Sequence, residues 1–173
     1  MPEAAQRPWY RWLGVSAAVL VLDLATKVWV THAFQLGETM RITSFFNLVL
    51  AHNSGAAFSF LAGAGGWQRW FFVVVTLVVS AVLVVMLKRN AANAILAAAL
   101  ALVLGGAAGN LWDRATLGYV VDFVQVHGAG YYFPAFNVAD SAITIGVVLL
   151  VWDSFRGETP GRGTAEKPQK GTP

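Results

Sequence analysis

Four long stretches of this chain carry almost no charge: residues 13–33, 69–87, 94–112 and 137–155. A helix of about 20 apolar residues spans the hydrocarbon core of a bilayer. There it satisfies every backbone N–H and C=O internally, which is the condition lipid imposes. The four stretches therefore predict an all-α membrane protein with four transmembrane helices and a small β addition. Composition agrees: charged residues are 12% of the 173, where a soluble domain carries roughly 25%. Little chain is left for a separate soluble domain.

The flanks fit this reading. Trp9, Trp12, Trp67, Trp70, Trp112 and Trp152 lie near span ends, where interfacial aromatic residues collect. The first span is long, is interrupted by Asp23 and Lys27, and is followed by no good small-residue cleavage site. It reads as a retained helix rather than a cleaved signal peptide. With four spans, both termini share one side, together with Arg7, Arg11, Lys88, Arg89, Arg156, Arg162, Lys167 and Lys170. The other side holds Arg41, Arg69 and Arg114. Eight against three places both termini in the cytoplasm. KRNAAN, between spans two and three, reads as a tight cytoplasmic turn.

Two longer connections then face outward, about 34–68 and 113–136. MRITSFFNLVLAHNSG in the first is rich in β-branched and aromatic residues, predicting short strands with a turn at Asn53-Ser54-Gly55. It is too apolar for a freely solvated loop and is expected to rest on the membrane or on the span ends. Residues 1–156 form one polytopic domain in this reading. The tail 157–173, with three prolines, four glycines and no aromatic residue, is expected to be disordered.

A carboxylate at the middle of a span costs about 2.5–3.5 kcal/mol. Asp23, Lys27, Asn53, Asn110, Asp113, Arg114, Asp122, Asn137 and Asp140 therefore need partners or chemistry, and nearly all fall at the outer ends of spans. Asp23 and Lys27, at i and i+4, form either an intrahelical ion pair or a pair that also orients its neighbours from behind. Asn137 and Asp140 have the spacing of an N-cap and an acidic N3 residue, which also holds a carboxylate in a fixed place. Asp122, flanked by Val120, Val121, Phe123 and Val124, sits in a buried extended stretch and needs a partner. Asp140 is eighteen residues on, far enough for a loop to return. Gly105 and Gly109 make a small-xxx-small packing face. Asn110 and Arg114 are i and i+4 at a helix end, where Arg114 either caps carbonyls or binds a peptide carbonyl or lipid headgroup. Asp113 reads as the local charge partner of Arg114.

Several chemistries lack their residues. No cysteine is present, so thiol nucleophiles, disulfides and cysteine metal sites are out. His32, His52 and His127 make no metal pattern, and HExxH, GxSG and GxGD are all absent. No motif for nucleotides or nucleic acid appears. If Asp122 and Asp140 meet, however, two adjacent carboxyls share a proton and their pKa values split. One can then take a proton from water while the other donates to a carbonyl oxygen, as in aspartic proteases.

Taken in order, D-x-x-x-K at 23–27, AHNSGAAFSF at 51–60, GGAAGNLWDR at 105–114, VVDF at 120–123 and FNVADS at 136–141 resemble the lipoprotein signal peptidases (signal peptidase II), bacterial membrane aspartyl proteases. The resemblance covers about 10–156. It implies that Asp122 and Asp140 are the catalytic pair, that Asn53, Arg114 and Asn137 engage substrate backbone or lipid, and that Asp23, Lys27 and Asn110 support them. It implies a monomer of the bacterial inner membrane, without metal or cofactor, that cuts a prolipoprotein just before its diacylglyceryl-modified cysteine. An extracytoplasmic β-cradle and a short surface helix are part of the implied fold. Two other readings of the same residues stand beside it: a proton-coupled transporter or channel subunit, since intramembrane carboxylates often mark proton paths, and a structural subunit whose polar residues only mediate packing.

Overall fold

The computed structural model describes residues 8–55 and 66–157. Four helices form where the apolar runs stand: α1 (Leu13–Ala33), α2 (Trp67–Asn90), α3 (Ala94–Thr116) and α4 (Val138–Gly157). All are long and apolar enough to cross a membrane. A 3-10 turn, Trp9–Trp12, leads into α1. Apart from Gly157, which closes α4, the tail expected to be disordered lies outside the described residues, as do positions 56–60 of AHNSGAAFSF. No further short helix is found among the described residues.

The helices pack around α3, which buries eleven residues where α1 and α2 each bury four. Its composition explains that place. A Cβ at Gly105 would stand 2.7 Å from the Ser16 carbonyl oxygen, and one at Gly109 would collide with the Asp23 carboxylate. Only glycine lets α1 come this close, as the small-xxx-small spacing predicts. Asn93 caps the start of α3, its side chain accepting from the Leu96 N–H. Away from the sheet, Leu83 and Leu87 of α2 pack on Ala97, Leu100 and Val103 of α3.

The β addition is a four-stranded antiparallel sheet in the order β1 (Thr39–Arg41), β2 (Phe46–Asn53), β3 (Val120–Gly128) and β4 (Tyr131–Tyr132). The hairpin between β1 and β2 closes at Ile42 and Thr43, whose N–H groups both reach the Phe46 carbonyl. The expected turn after Asn53 is present as a local bond from the Gly55 N–H to Asn53 Oδ1 at 3.1 Å, at the end of β2. Pairing runs from Phe46↔Val126 to Leu48↔Val124, then resumes at Ala51↔Asp122 with one extra residue in β2. Such a bulge bends a strand and re-aims its side chains, here beside Asp122. Val30 and Phe34 at the end of α1 pack with Leu50, Val121 and Phe123, which seats the sheet on the helices.

Candidate active site

Two backbone segments bring the acidic residues together. After β4 the chain returns along β3: Phe123 and Val124 donate to the Phe136 carbonyl at 3.0 and 2.8 Å, and Phe136 donates back to Val124 at 2.9 Å. That pairing delivers Asn137 and the head of α4 to Asp122. The first turn of α4 then closes as a reciprocal cap. The Asp140 N–H donates to Asn137 Oδ1 at 2.9 Å, and the Asn137 N–H donates to Asp140 Oδ2 at 3.3 Å. This is the geometry of a capping box with aspartate at N3.

The Asn137 side chain is fully buried. Its Nδ2 donates to Asp122 Oδ1 at 2.7 Å, to Asn110 Oδ1 at 3.1 Å and to the Val121 carbonyl at 3.3 Å. One asparagine thus bonds both Asp122 and Asp140. Each carboxyl takes a second amide: Asn53 Nδ2 donates to Asp122 Oδ2 at 3.1 Å, and Asn110 Nδ2 donates to Asp140 Oδ1 at 2.8 Å. Asp122 and Asp140 line one cavity of about 750 Å³, with Asn53 and Arg114 on its polar side and Phe133, Phe136, Ile143 and Ile145 among its apolar walls. Burial, then the negative charge of Asp140, push the Asp122 carboxyl up to about 7, against the pull of its bonds from Asn53 and Asn137.

Arg114 reaches the cavity from the last turn of α3. Its Nη2 donates to the Gly55 carbonyl at 3.2 Å and its Nη1 to the Asn110 carbonyl at 3.4 Å. Its guanidinium lies over Phe72 of α2, 5.2 Å from the ring centre. The charge partnership expected between Asp113 and Arg114 is not what forms. Consecutive helical residues point about 100° apart, and Asp113 turns inward to Lys27 Nζ at 2.9 Å. Lys27 also pairs with Asp23 at 2.7 Å and donates to Asn110 Oδ1 at 3.1 Å. Two carboxylates and one amide oxygen thus surround an ammonium that is buried and needs charged partners. Asp23 and Lys27 form the intrahelical pair, and Lys27 also bonds Asn110 from behind the cavity.

Among the described residues, no group of three His, Asp or Glu side chains could hold a metal ion. What the site offers is two carboxyls on one cavity, oriented by amides and backed by a buried ion cluster.

Four apolar helices with an acid–amide site at one end define a multi-pass membrane protein. The chain belongs to the signal peptidase II family, whose pattern, described as Signal peptidase (SPase) II, matches residues 15–156. It is 52% identical over 145 residues to the lipoprotein signal peptidase of Ralstonia nicotianae, covering 84% of each chain. It is 52% identical over 148 residues to that of Teredinibacter turnerae, covering 85% of this chain and 88% of the relative. A solved structure described as a bacterial membrane enzyme superposes with a TM-score of 0.80 at 30% identity, over 90% of this chain and 94% of that one. A second with the same description gives 0.75 at 32% identity, over 84% and 93%. Membership makes the chain a membrane protease. The transporter, channel and packing-subunit readings find no support in these relatives.

Proposed function

We propose that this protein is an aspartyl endopeptidase of the bacterial inner membrane that removes the signal peptide from diacylglyceryl-modified prolipoproteins, cutting immediately before the lipidated cysteine. The observation that carries the aspartyl mechanism is that Asp122 and Asp140 line one cavity, with the buried Asn137 side chain bonding the Asp122 carboxyl and the Asp140 backbone N–H behind it. The substrate follows from the family and from its relatives, which are lipoprotein signal peptidases.

In this reading Asp122 and Asp140 are the catalytic pair. Asp122 holds the shared proton to about pH 7. The other carboxyl takes a proton from a water molecule, whose oxygen attacks the scissile carbonyl carbon. Asp122 gives its proton to the carbonyl oxygen. The tetrahedral intermediate then collapses: Asp140 gives the proton it took from water to the leaving nitrogen, Asp122 takes back a hydroxyl proton, and the C–N bond breaks to release a carboxyl end and an amine end. Each positioned acid–base group contributes roughly 10²–10⁴-fold. Asn53 and Arg114, on the cavity, engage the substrate backbone or lipid; Asn137, expected to join them, is instead buried with its amide bonded to Asp122, and it orients the pair along with Asp23, Lys27 and Asn110.

The orientation proposed is both termini in the cytoplasm and the site near the outer face. Arg11, Lys88, Arg89 and Arg156 occupy the helix ends away from the site, in keeping with the positive-inside rule. A signal peptide would arrive as an apolar helix, with its acyl chains left in lipid beside the apolar cavity wall. The proposed enzyme acts as a monomer.

The test is purified protein with a synthetic diacylglyceryl-cysteine precursor peptide, read by mass spectrometry. The expected product begins at the lipidated cysteine; an uncut peptide, or a cut elsewhere, rejects the proposal. Arg114→Ala is expected to raise KM about 10–100-fold with little change in kcat, the worth of one charge-assisted hydrogen bond. Unchanged steady-state constants would remove Arg114 from substrate binding.

A further inference from the structure

The residue just before each candidate catalytic aspartate is held in the same way. Ala139, before Asp140, donates its N–H to Asp23 Oδ1 at 2.9 Å. Val121, before Asp122, donates its N–H to Asp113 Oδ2 at 3.0 Å. Asp23 and Asp113 are both buried, at 0% and 3% exposure, and both pair with the one ammonium of Lys27, at 2.7 and 2.9 Å. A second pair of aspartates thus stands behind the first. Each is bonded to the backbone that carries a cavity-facing carboxyl, and Lys27 ties the two together.

From this geometry we infer that Asp113, with Asp23 and Lys27, sets the separation of the Asp122 and Asp140 carboxyls. Asp113 is a positioning residue for the cleavage reaction, acting through the Val121 N–H on the strand that bears Asp122. The inference rests on the aspartyl peptidase reading above. Its physical content is stiffness. β3 and α4 are separate elements, joined on the cavity side by the Phe136 pairing and the Asn137 amide. The lysine fixes the distance between their second anchor points, with bonds made stronger by charge at both ends. Sequence pointed to Asp23 and Lys27 but put Asp113 on Arg114. The three-residue step from Asn110 to Asp113, on one face of α3, was the available signal.

The test compares Asp113→Ala with Asp113→Asn in the full-length protein, using the lipidated precursor peptide. Alanine frees the Val121 N–H and leaves the Asp23–Lys27 pair intact. Its kcat is expected to fall about 10²-fold, the cost of misplacing a reacting group by about 1 Å, while KM stays at the wild-type value. The alkaline limb of its pH–rate profile is expected to move to lower pH, because Asp122 farther from the Asp140 charge is raised less. Asparagine keeps an acceptor for Val121 and is expected to restore both kcat and the position of that limb. A folded Asp113→Ala with wild-type kcat and profile overturns the inference, as does an asparagine variant no better than alanine. Should Asp113→Ala not fold, Lys27→Met/Asp113→Asn is read in its place. It keeps the net charge of the cluster and both N–H acceptors, and removes the link together with the Lys27 bond to Asn110 Oδ1. If it folds with a wild-type profile, or does not fold, the cluster is only structural. Failure of the parent reading is separate: it shows as cleavage by Asp122→Asn or Asp140→Asn, whatever Asp113 does.

Discussion

Asp122→Asn and Asp140→Asn are each expected to fold, to insert and to leave the lipidated precursor uncut, with kcat down by at least the roughly 10²–10⁴-fold of a positioned acid–base group. Two groups that act as a unit are not additive, so the double variant should be no worse than either single one. The fold should survive because the substitution is isosteric. Asp122 accepts from Asn137 at 2.7 Å and from Asn53 at 3.1 Å. An asparagine there keeps one of these bonds and sets an NH2 against the other donor, a local cost of about 1–3 kcal/mol. At position 140 the same holds for the bonds from Asn110 and the Asn137 N–H. Circular dichroism and gel filtration in detergent would verify folding, and peptide mass spectrometry would verify cleavage. Cleavage retained by either folded variant would refute the pair.

Asn137→Ala is expected to produce the next largest loss, and to lose stability as well as activity. The side chain is buried completely and serves two ends of the site. Its Oδ1 accepts from the Asp140 N–H as the α4 cap, worth about 1 kcal/mol. Its Nδ2 makes the shortest hydrogen bond to Asp122. Alanine removes both, so the melting temperature should fall and kcat should drop about 10²-fold as Asp122 loses its orientation. Asn137→Ser separates the two contributions. It keeps a cap acceptor for the Asp140 N–H but no amide for Asp122, so it should recover the part of the stability that the cap supplies without recovering turnover. An alanine variant with wild-type kcat would show that Asn137 only caps the helix.

The spans were legible because lipid demands long uninterrupted apolar runs, and nothing else in a chain this short requires them. Span ends were less so. The expected end of the third span at 112 reflects the cost of putting Asp113 and Arg114 into lipid, yet α3 continues to Thr116. Both residues have protein partners: Asp113 is buried on Lys27, and Arg114 bonds the Gly55 carbonyl and lies over the Phe72 ring. The penalty that ends a span in sequence does not apply to a face turned into the protein. The cap at Asn137 and Asp140 was legible for the opposite reason, since its two bonds are local and follow from a three-residue spacing. That Asp122 shares a cavity with Asp140 was not legible from spacing. It depends on the edge pairing of Phe136 with Val124, a non-local contact that a separation of eighteen residues permits but does not require. The family resemblance supplied that pairing in advance; residue patterns alone left it open. The catalytic roles of these residues remain the proposal tested above.

The most direct test of the central claim, that Asp122 and Asp140 work as one proton-sharing pair, is the pH dependence of kcat/KM, which reports the free enzyme. Asp122 is raised, so the pair keeps its shared proton below about pH 7 and loses it as pH rises through that value. Activity should therefore fall on the alkaline side near pH 7, as Asp122 gives up its proton. A rate that stays constant from acid to well above neutral pH would contradict the account.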